Sequence, residues 1–193
     1  MKQILLFLTI IFMAHIWSSS LLAKETGEWQ ELNSRTVGFY KEQKFMKASG
    51  AGRQAVAAAR QLPKADRDKL ASSLGNLAMI YTHLGKFAEA EELAKEELSL
   101  RQEIFGKENP EVITAWNHLA IIYTMATKMA QVNPDAEHCL LQIVAIEEKT
   151  NGNESPAVIP ALMKLEKYYR ITGNSEKEKK VADRITALQP SAN

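Results

Sequence analysis

The stretch NLAMIYTHLGKFAEAEELAKEEL, residues Asn76–Leu98, returns in part 42 residues later as HLAIIYTMATKMAQ, residues His118–Gln131. The residues that return are apolar or aromatic: Leu77, Ala78, Ile80 and Tyr81, then Leu119, Ala120, Ile122 and Tyr123. Self-similarity at a fixed step indicates a repeat architecture, in which each copy buries its apolar face against its neighbours. The interval therefore predicts stacked copies of one structural unit.

Each copy is predicted to be a pair of antiparallel helices. Leu74, Leu77 and Tyr81 are spaced by 3 and 4 residues, which puts them on one face of a helix. Gly85 follows and ends that helix, and residues 87–98 carry a second apolar face. Helix, tight turn and helix make an αα-hairpin, with Tyr81 expected in the space between successive hairpins.

The third and fourth copies open with helix-start signals. Asn109 and Ser155 are suitable N-caps, and Pro110 and Pro156 follow them at the first helical position. These two starts are 46 residues apart, so the third copy is longer than the second. The extra length lies in Met129–Glu137 and predicts an added turn on a first helix, with the second helix opening at the Asn-Pro pair inside it.

A degenerate copy precedes these three. Stepping back 42 residues from the second copy gives its apolar skeleton: Leu32, Phe39, Phe45 and Ala48. Its second helix, Ser49–Leu62, is rich in Gly and Ala, which predicts close approach by a neighbouring helix, and Pro63 ends it. The predicted repeats are about 29–69, 70–111, 112–157 and 158–190.

The repeated pattern resembles the tetratricopeptide repeat. The residues that carry the resemblance are Leu74, Leu77, Ala78, Tyr81, Gly85, Phe87 and Ala90. The 42-residue step and the GKENPEV segment between copies resemble the longer variety found in kinesin light chains. The chain departs from the pattern at Thr127, in place of the turn glycine, and at Glu166, in place of a small residue. The resemblance implies an all-α, right-handed superhelical solenoid of about four helix-turn-helix repeats across residues 24–193.

In the resembled family the first helices line a concave groove that holds a peptide. The positions that the resemblance carries over are Asn33, Tyr40, Lys41, Asn76, Met79, His83, Asn117, His118, Ile121, Met125, Lys164, Lys167 and Arg170. Asn can donate to and accept from a peptide backbone, and Met adapts to irregular apolar partners. The basic residues of the last first helix could hold an acidic group. The implied partner is a protein or peptide.

Residues 1–23 are predicted to be a secretory signal peptide. One lysine precedes the apolar stretch Ile4–Trp17, whose 14 residues fall short of the ~20 needed to span a bilayer as a helix. Cleavage is expected after Ala23, with Ser20 as the alternative. The protein is then exported, periplasmic or secreted. Otherwise residues 4–22 stay as a membrane anchor, and only then is a membrane a partner.

The composition favours a folded domain without disulfides and argues against binding to nucleic acid. The formal net charge is +1, so the basic excess expected of a nucleic-acid-binding protein is missing. The hydrophobic share of 46% is ordinary for a folded domain. Cys139 is the only cysteine, which rules out an intramolecular disulfide.

No motif for catalysis, metal or cofactor stands out. His83, His118 and His138 have no ligand spacing and are predicted at helix surfaces. Residues 50–55 match a dinucleotide fingerprint but follow no strand and lie in a predicted helix. Cys139 is predicted to be a buried thiol. The sequence therefore predicts a protein that is not an enzyme and has no cofactor or metal.

The sequence is compatible with three functions. The first is an exported scaffold that binds a peptide or partner protein in its groove. The second is a structural or assembly protein that self-associates through the end faces of the repeats. The third is a non-catalytic accessory subunit of an envelope enzyme complex.

Overall fold

Eight helices, joined by short turns, make up the part of the chain that the computed structural model describes, residues 24–127 and 134–189. They are α1 (24–41), α2 (Phe45–Gln61), α3 (Arg67–His83), α4 (Phe87–Phe105), α5 (Ile113–Thr127), α6 (Pro134–Asn151), α7 (Ile159–Thr172) and α8 (Ser175–Leu188). No strand occurs within these residues. The predicted signal peptide and the predicted added turn lie outside them, although α6 opens at Pro134 as expected.

Consecutive helices pair as hairpins, α3 with α4, α5 with α6 and α7 with α8, and the second helix of each pair packs against the next pair. In the first copy, Thr36 of α1 lies against Gly52 of α2, and α2 packs on α3. This arrangement confirms the predicted all-α repeat solenoid. The first hairpin is already helical at residue 24, ahead of residue 29, where the predicted first repeat begins.

Tight turns within the hairpins require a left-handed backbone. Gly85 and Gly173 have φ of 75° and 73°, a conformation that glycine adopts without steric cost. The degenerate first copy has Gln43 at the equivalent place, with φ of 57°. A left-handed non-glycine residue costs about 1 kcal/mol or more, so this turn is strained relative to the other two.

The predicted starts of the later copies are confirmed. The Oδ1 atom of Asn109 accepts a hydrogen bond from the backbone N–H of Glu111 at 2.9 Å, and Ser155 Oγ accepts from Ala157 at 3.3 Å. Each cap opens a 3₁₀ turn whose first residue is the predicted proline, and the α-helix continues from it.

Tyrosines on the first helices fasten successive hairpins together. Tyr123 and Tyr169 are buried, and their hydroxyls donate to Glu91 at 3.0 Å and Glu137 at 2.7 Å on the preceding second helices. Burial is the main cause that raises the pKa of both phenols. The hydrogen bond from Lys177 lowers the pKa of Glu137, which therefore stays ionised at neutral pH.

Tyr81 differs from these two tyrosines because it is only partly buried. The residue 32 positions before it is Ser49, where the other two copies have glutamate, and Ser49 hydrogen-bonds within its own helix. The Lys86 ammonium lies 5.3 Å from the Tyr81 ring centroid. Tyr81 therefore fills the space between hairpins less completely than Tyr123 and Tyr169 do.

The small residues of α2 have the predicted effect. A Cβ added to Gly52 would lie 3.1 Å from Leu77 Cδ1 and 3.4 Å from Thr36 Cγ2, so α2 is closely packed there. Residues 50–55, which match the dinucleotide fingerprint, lie inside α2 and form no phosphate loop. Cys139 is buried as predicted, and burial raises the pKa of its thiol to about 12.

Candidate functional site: a groove along the first helices

The first helices of the four hairpins lie side by side and are joined by polar contacts. Trp29 of α1 donates to Ser73 of α3 at 2.8 Å, and Asn76 of α3 donates to Asn33 of α1 at 3.1 Å. Helices α3 and α5 pack directly. Lys164 of α7 donates to Asn117 Oδ1 of α5 at 2.7 Å. These contacts hold the four helices as one surface.

Two concavities adjoin on this surface. The first, of about 420 Å³, lies across α1, α3 and α5 and is lined by Thr36, Val37, Tyr40, Lys41, Asn76, Met79, Ile80, His118 and Ile121. The second, of about 440 Å³, lies across α5 and α7 and is lined by Asn117, Ala120, Ile121, Thr124, Met125, Leu140, Lys164, Lys167, Tyr168 and Ile171. Ile121 borders both, so we call the two together the groove.

The groove combines apolar walls with positive charge. Met79 and Ile80 contribute to the first concavity, and Ile171, which is 45% exposed, contributes to the second. The charged side chains of the lining are lysines, and no described residue of the lining is Asp or Glu. A side chain that enters the groove would meet apolar contacts flanked by ammonium groups.

Most of the predicted groove residues lie in this lining. They are Tyr40, Lys41, Asn76, Met79, His118 and Ile121 in the first concavity, and Asn117, Ile121, Met125, Lys164 and Lys167 in the second. Their placement is compatible with partner binding, which stays a prediction.

Three predicted residues do not line either concavity. Asn33 accepts the hydrogen bond from Asn76 described above. His83 contacts the Tyr40 hydroxyl at 3.0 Å and stacks on Phe45, with ring centroids 4.5 Å apart. Arg170 lies 3.8 Å from Glu166 and 3.8 Å from Glu178. Six residues separate Arg170 from Lys164, and at about 100° per residue the two side chains diverge around the helix.

A buried carboxylate stands behind the first concavity. Glu97 of α4 is fully buried, and its Oε1 accepts from Arg101 Nε at 2.9 Å. Its Oε2 contacts His118 Nδ1 at 2.7 Å, and the His118 side chain is 21% exposed. Buried charges are tolerated when they are paired in this way.

Gly75 makes the space for this carboxylate. A Cβ added to Gly75 on α3 would lie 2.6 Å from Glu97 Oε2, closer than non-bonded atoms approach. Gly75 sits in the interior of α3, where glycine costs about 1 kcal/mol relative to alanine. The close approach of Glu97 explains this unfavourable choice.

Sequence reasoning misses Glu97, Arg101 and Gly75. The available signal is the glycine itself, because a glycine inside a strongly helical pattern often marks a close approach. The repeat pattern places His118 in the groove but says nothing of its partner on the preceding second helix. The structure places His118 at the groove with its side chain 21% exposed, and pairs it with a buried carboxylate that the sequence pattern did not indicate.

Neither a metal site nor a membrane span is found in the described part of the chain. No three His, Cys, Asp or Glu side chains within residues 24–127 and 134–189 are grouped so that they could hold a metal ion. Over the same ranges, no helix combines the length and the apolar character that crossing a bilayer requires.

Comparison with known proteins agrees with the repeat architecture. The family model for the tetratricopeptide repeat matches residues 39–103 and 69–131. Among curated proteins, none matches the sequence significantly.

Solved structures show the same fold. BtubC (BKLC) from P. vanneervenii is 22% identical, with a TM-score of 0.64 over 87% of this chain and 72% of that one. A kinesin-light-chain-type protein of nearly identical TPR-like repeats from Podosopora anserina is 20% identical, with a TM-score of 0.69 over 89% of this chain and 83% of that one. A variant of the latter is 19% identical, with a TM-score of 0.69 over 89% and 82%. The stacked hairpins and the match to the family model over residues 39–131 show that the chain carries tetratricopeptide repeats, and its fold is similar to that of kinesin-light-chain-type repeat proteins.

Proposed function

We propose that this protein is exported and binds an extended, acidic and partly apolar segment of a partner protein in the groove. Tetratricopeptide repeats generally mediate protein–protein interaction. The observation that carries the proposal is the composition of the groove: apolar walls with lysines as their charged side chains and no described carboxylate. The chain as a whole carries a net charge of +1, so this charge is a local property of the groove.

The lysines favour an acidic ligand. Lys41 and Lys167 form no ion pair among the described residues, and Lys164 donates to a neutral amide. An ammonium group that has no carboxylate partner in the protein can donate hydrogen bonds to a carboxylate of the ligand. Such charge-assisted hydrogen bonds are about twice as strong as neutral ones. Lys164 and Lys167 would hold acidic side chains over the second concavity, and Lys41 over the first.

The asparagines favour an extended backbone. An amide side chain has two N–H donors and one oxygen with two lone pairs. Asn76 uses one N–H on Asn33, and Asn117 uses one N–H on the Ile113 carbonyl and one lone pair on Lys164. Each amide keeps unused donor and acceptor capacity, which a peptide N–H and C=O can take up.

We propose further that the protein is a scaffold without catalytic activity of its own. The tetratricopeptide fold is generally non-catalytic, and the polar groups of the groove fit recognition. The buried carboxylate behind the first concavity is already shared between an arginine and a histidine.

The groove assignment is tested by capture of partners from the envelope or secreted fraction with a triple variant, Asn76→Ala, Asn117→Ala and Lys167→Ala. Loss of two neutral hydrogen bonds and one to a charged group costs about 3 kcal/mol in total, so we expect roughly 100-fold weaker binding. The partners are identified by mass spectrometry after crosslinking.

The matched control changes two neutral polar residues and one lysine on second helices: Gln54→Ala, Ser99→Ala and Lys179→Ala. All three are exposed and lie outside the groove lining. The control should capture partners as the parent does. If the groove variant also retains every partner, with unchanged circular dichroism, the groove is not the binding surface.

Export is tested on protein recovered from the same fraction. Intact mass should correspond to a chain that begins at Lys24, or at Leu21 if cleavage follows Ser20. A chain that keeps residues 1–23 and partitions with membranes would support the anchored alternative. A full-length chain found only in the cytosolic fraction would contradict export.

A further inference from the structure

We propose that His118 makes the affinity of the groove depend on protonation, because its charged form donates a hydrogen bond from Nε2 to a ligand carboxylate over the first concavity. The inference rests on the proposed acidic ligand of the groove. It goes beyond the proposed function by naming the residue that binds the ligand carboxylate and the protonation state in which that residue binds it.

The buried carboxylate of Glu97 fixes the orientation of the His118 ring. Its Nδ1 lies 2.7 Å from Glu97 Oε2, and because the Arg101 guanidinium pairs with the other oxygen of the same carboxylate, we assign Nδ1 as the donor. Glu97 is held in turn by Arg101 and by its full burial against Gly75. An imidazole whose Nδ1–H is committed to a carboxylate has a defined tautomer and presents Nε2 on its other side.

The opposite nitrogen of the ring is available to a ligand. Nε2 of His118 has no hydrogen-bond partner among the described residues. The one buried side-chain nitrogen or oxygen without a partner in those residues is Trp116 Nε1, so Nε2 reaches solvent. His118 also lines the first concavity, so a ligand bound there can approach this exposed nitrogen.

The groups around His118 leave this nitrogen without a competing acid. On α4, Glu97 contacts the Nδ1 side of the ring and Arg101 contacts Glu97. From α1 the lining contributes Tyr40 and Lys41, and from α3 it contributes only uncharged residues. Its own helix has no other charged side chain, and on α7 the Lys164 ammonium contacts the neighbouring Asn117.

The sign of the pH effect follows from the two forms of the ring. In the neutral form Nε2 carries a lone pair, which repels a ligand carboxylate. In the charged form Nε2–H donates to it, and Glu97 balances the added charge from behind. Histidine changes charge between about pH 5 and 8, whereas Asp and Glu stay largely ionised down to about pH 4.5. Binding of an acidic ligand should therefore tighten as pH falls through this range.

The experiment uses an array of synthetic peptides of about 12 residues in matched pairs. One member of each pair alternates an apolar residue (Leu, Phe or Met) with glutamate, and the other replaces every glutamate with glutamine. Labelled mature protein is applied at about pH 8 and at about pH 5.5. We expect the glutamate peptides to bind roughly tenfold tighter at the lower pH, as for one added charge-assisted hydrogen bond, and the glutamine peptides to show no such gain.

Two histidine variants separate His118 from other titrating groups. His118→Gln should bind glutamate peptides with no gain at the lower pH. His138→Gln is the control, because His138 on α6 packs edge-on against Trp116 and does not line the groove. It should retain the full gain. Melting curves of both variants should show that they remain folded.

The outcomes are distinguishable. If no glutamate peptide binds at either pH, the proposed function is contradicted and this inference with it. If glutamate peptides bind but the wild-type protein shows no gain at the lower pH, the inference alone is overturned. A gain that persists in His118→Gln also overturns it, and assigns the effect to another group such as His83.

Discussion

Replacement of Glu97 with alanine is expected to lower the free energy of unfolding by about 3 to 5 kcal/mol, the usual cost of removing one member of a buried charge pair. Glu97 accepts hydrogen bonds from both Arg101 and His118, and its side chain is inaccessible to solvent. Its loss would leave two polar groups unpaired and a cavity beside Gly75. Chemical denaturation monitored by circular dichroism measures the change.

Gly75→Ala provides the matched test of the same contact. Alone, it should destabilise the protein by about 1 to 3 kcal/mol, because the added methyl overlaps the Glu97 carboxylate. This loss would occur although alanine is the better helix former by about 1 kcal/mol. In the Glu97→Ala background the overlap is gone, and Gly75→Ala should then be stabilising. An equal effect of Gly75→Ala in both backgrounds would contradict the close approach of these two residues.

Tyr123→Ala is expected to have an effect of similar size, about 4 kcal/mol, the scale of a large aromatic truncation in a core. Tyr123 is 5% exposed and joins the second and third hairpins. Tyr123→Phe keeps the ring and removes the hydrogen bond to Glu91, which should cost about 1 kcal/mol. Chemical denaturation of each variant measures both losses.

Tyr81→Ala is the internal comparison, because Tyr81 occupies the same repeat position but is only partly buried. It should cost about 2 kcal/mol, in proportion to the smaller apolar area that it buries. If Tyr81→Ala destabilised the protein as much as Tyr123→Ala, the burial of the two residues would have to be equal, contrary to the structure.

The repeated hairpins could be predicted from the sequence because their signals are local. Asn109 and Pro110 start a helix through contacts within a few residues, and Gly85 ends one in the same way. The apolar spacing around Leu77 predicts which face is buried. Such features depend on backbone and near neighbours alone, and the structure confirms them.

The Glu97 cluster could not be predicted in the same way. Its members come from three helices, and both His118 and Gly75 lie 21 or more positions from Glu97 along the chain. A glutamate at the boundary of an apolar face is ordinarily solvated, and only the packing of α3 and α5 on α4 buries it. Arg170 lies outside the groove lining because a step of six residues from Lys164 does not stay on one helical face.

The groove was predictable in outline because the repeat fixes which face of each first helix is exposed. The chemistry of the groove could not be predicted. The sequence does not distinguish a lysine without an ion pair, such as Lys167, from an arginine near carboxylates, such as Arg170. The structure separates them through Glu166 and Glu178, which lie near the arginine and away from the groove lining. The residue shared by the two concavities, Ile121, likewise gains its position only from stacking.

Site-specific photo-crosslinking in the living cell tests the central claim most directly. A photoreactive residue such as p-benzoylphenylalanine is placed at Ile121 in the groove or at Leu141 on α6, two apolar side chains that are 40% and 44% exposed in the same hairpin. We expect a covalent adduct with a partner protein from position 121 and none from position 141. Adducts from position 141 alone, or equally from both, would contradict a partner bound along the first helices.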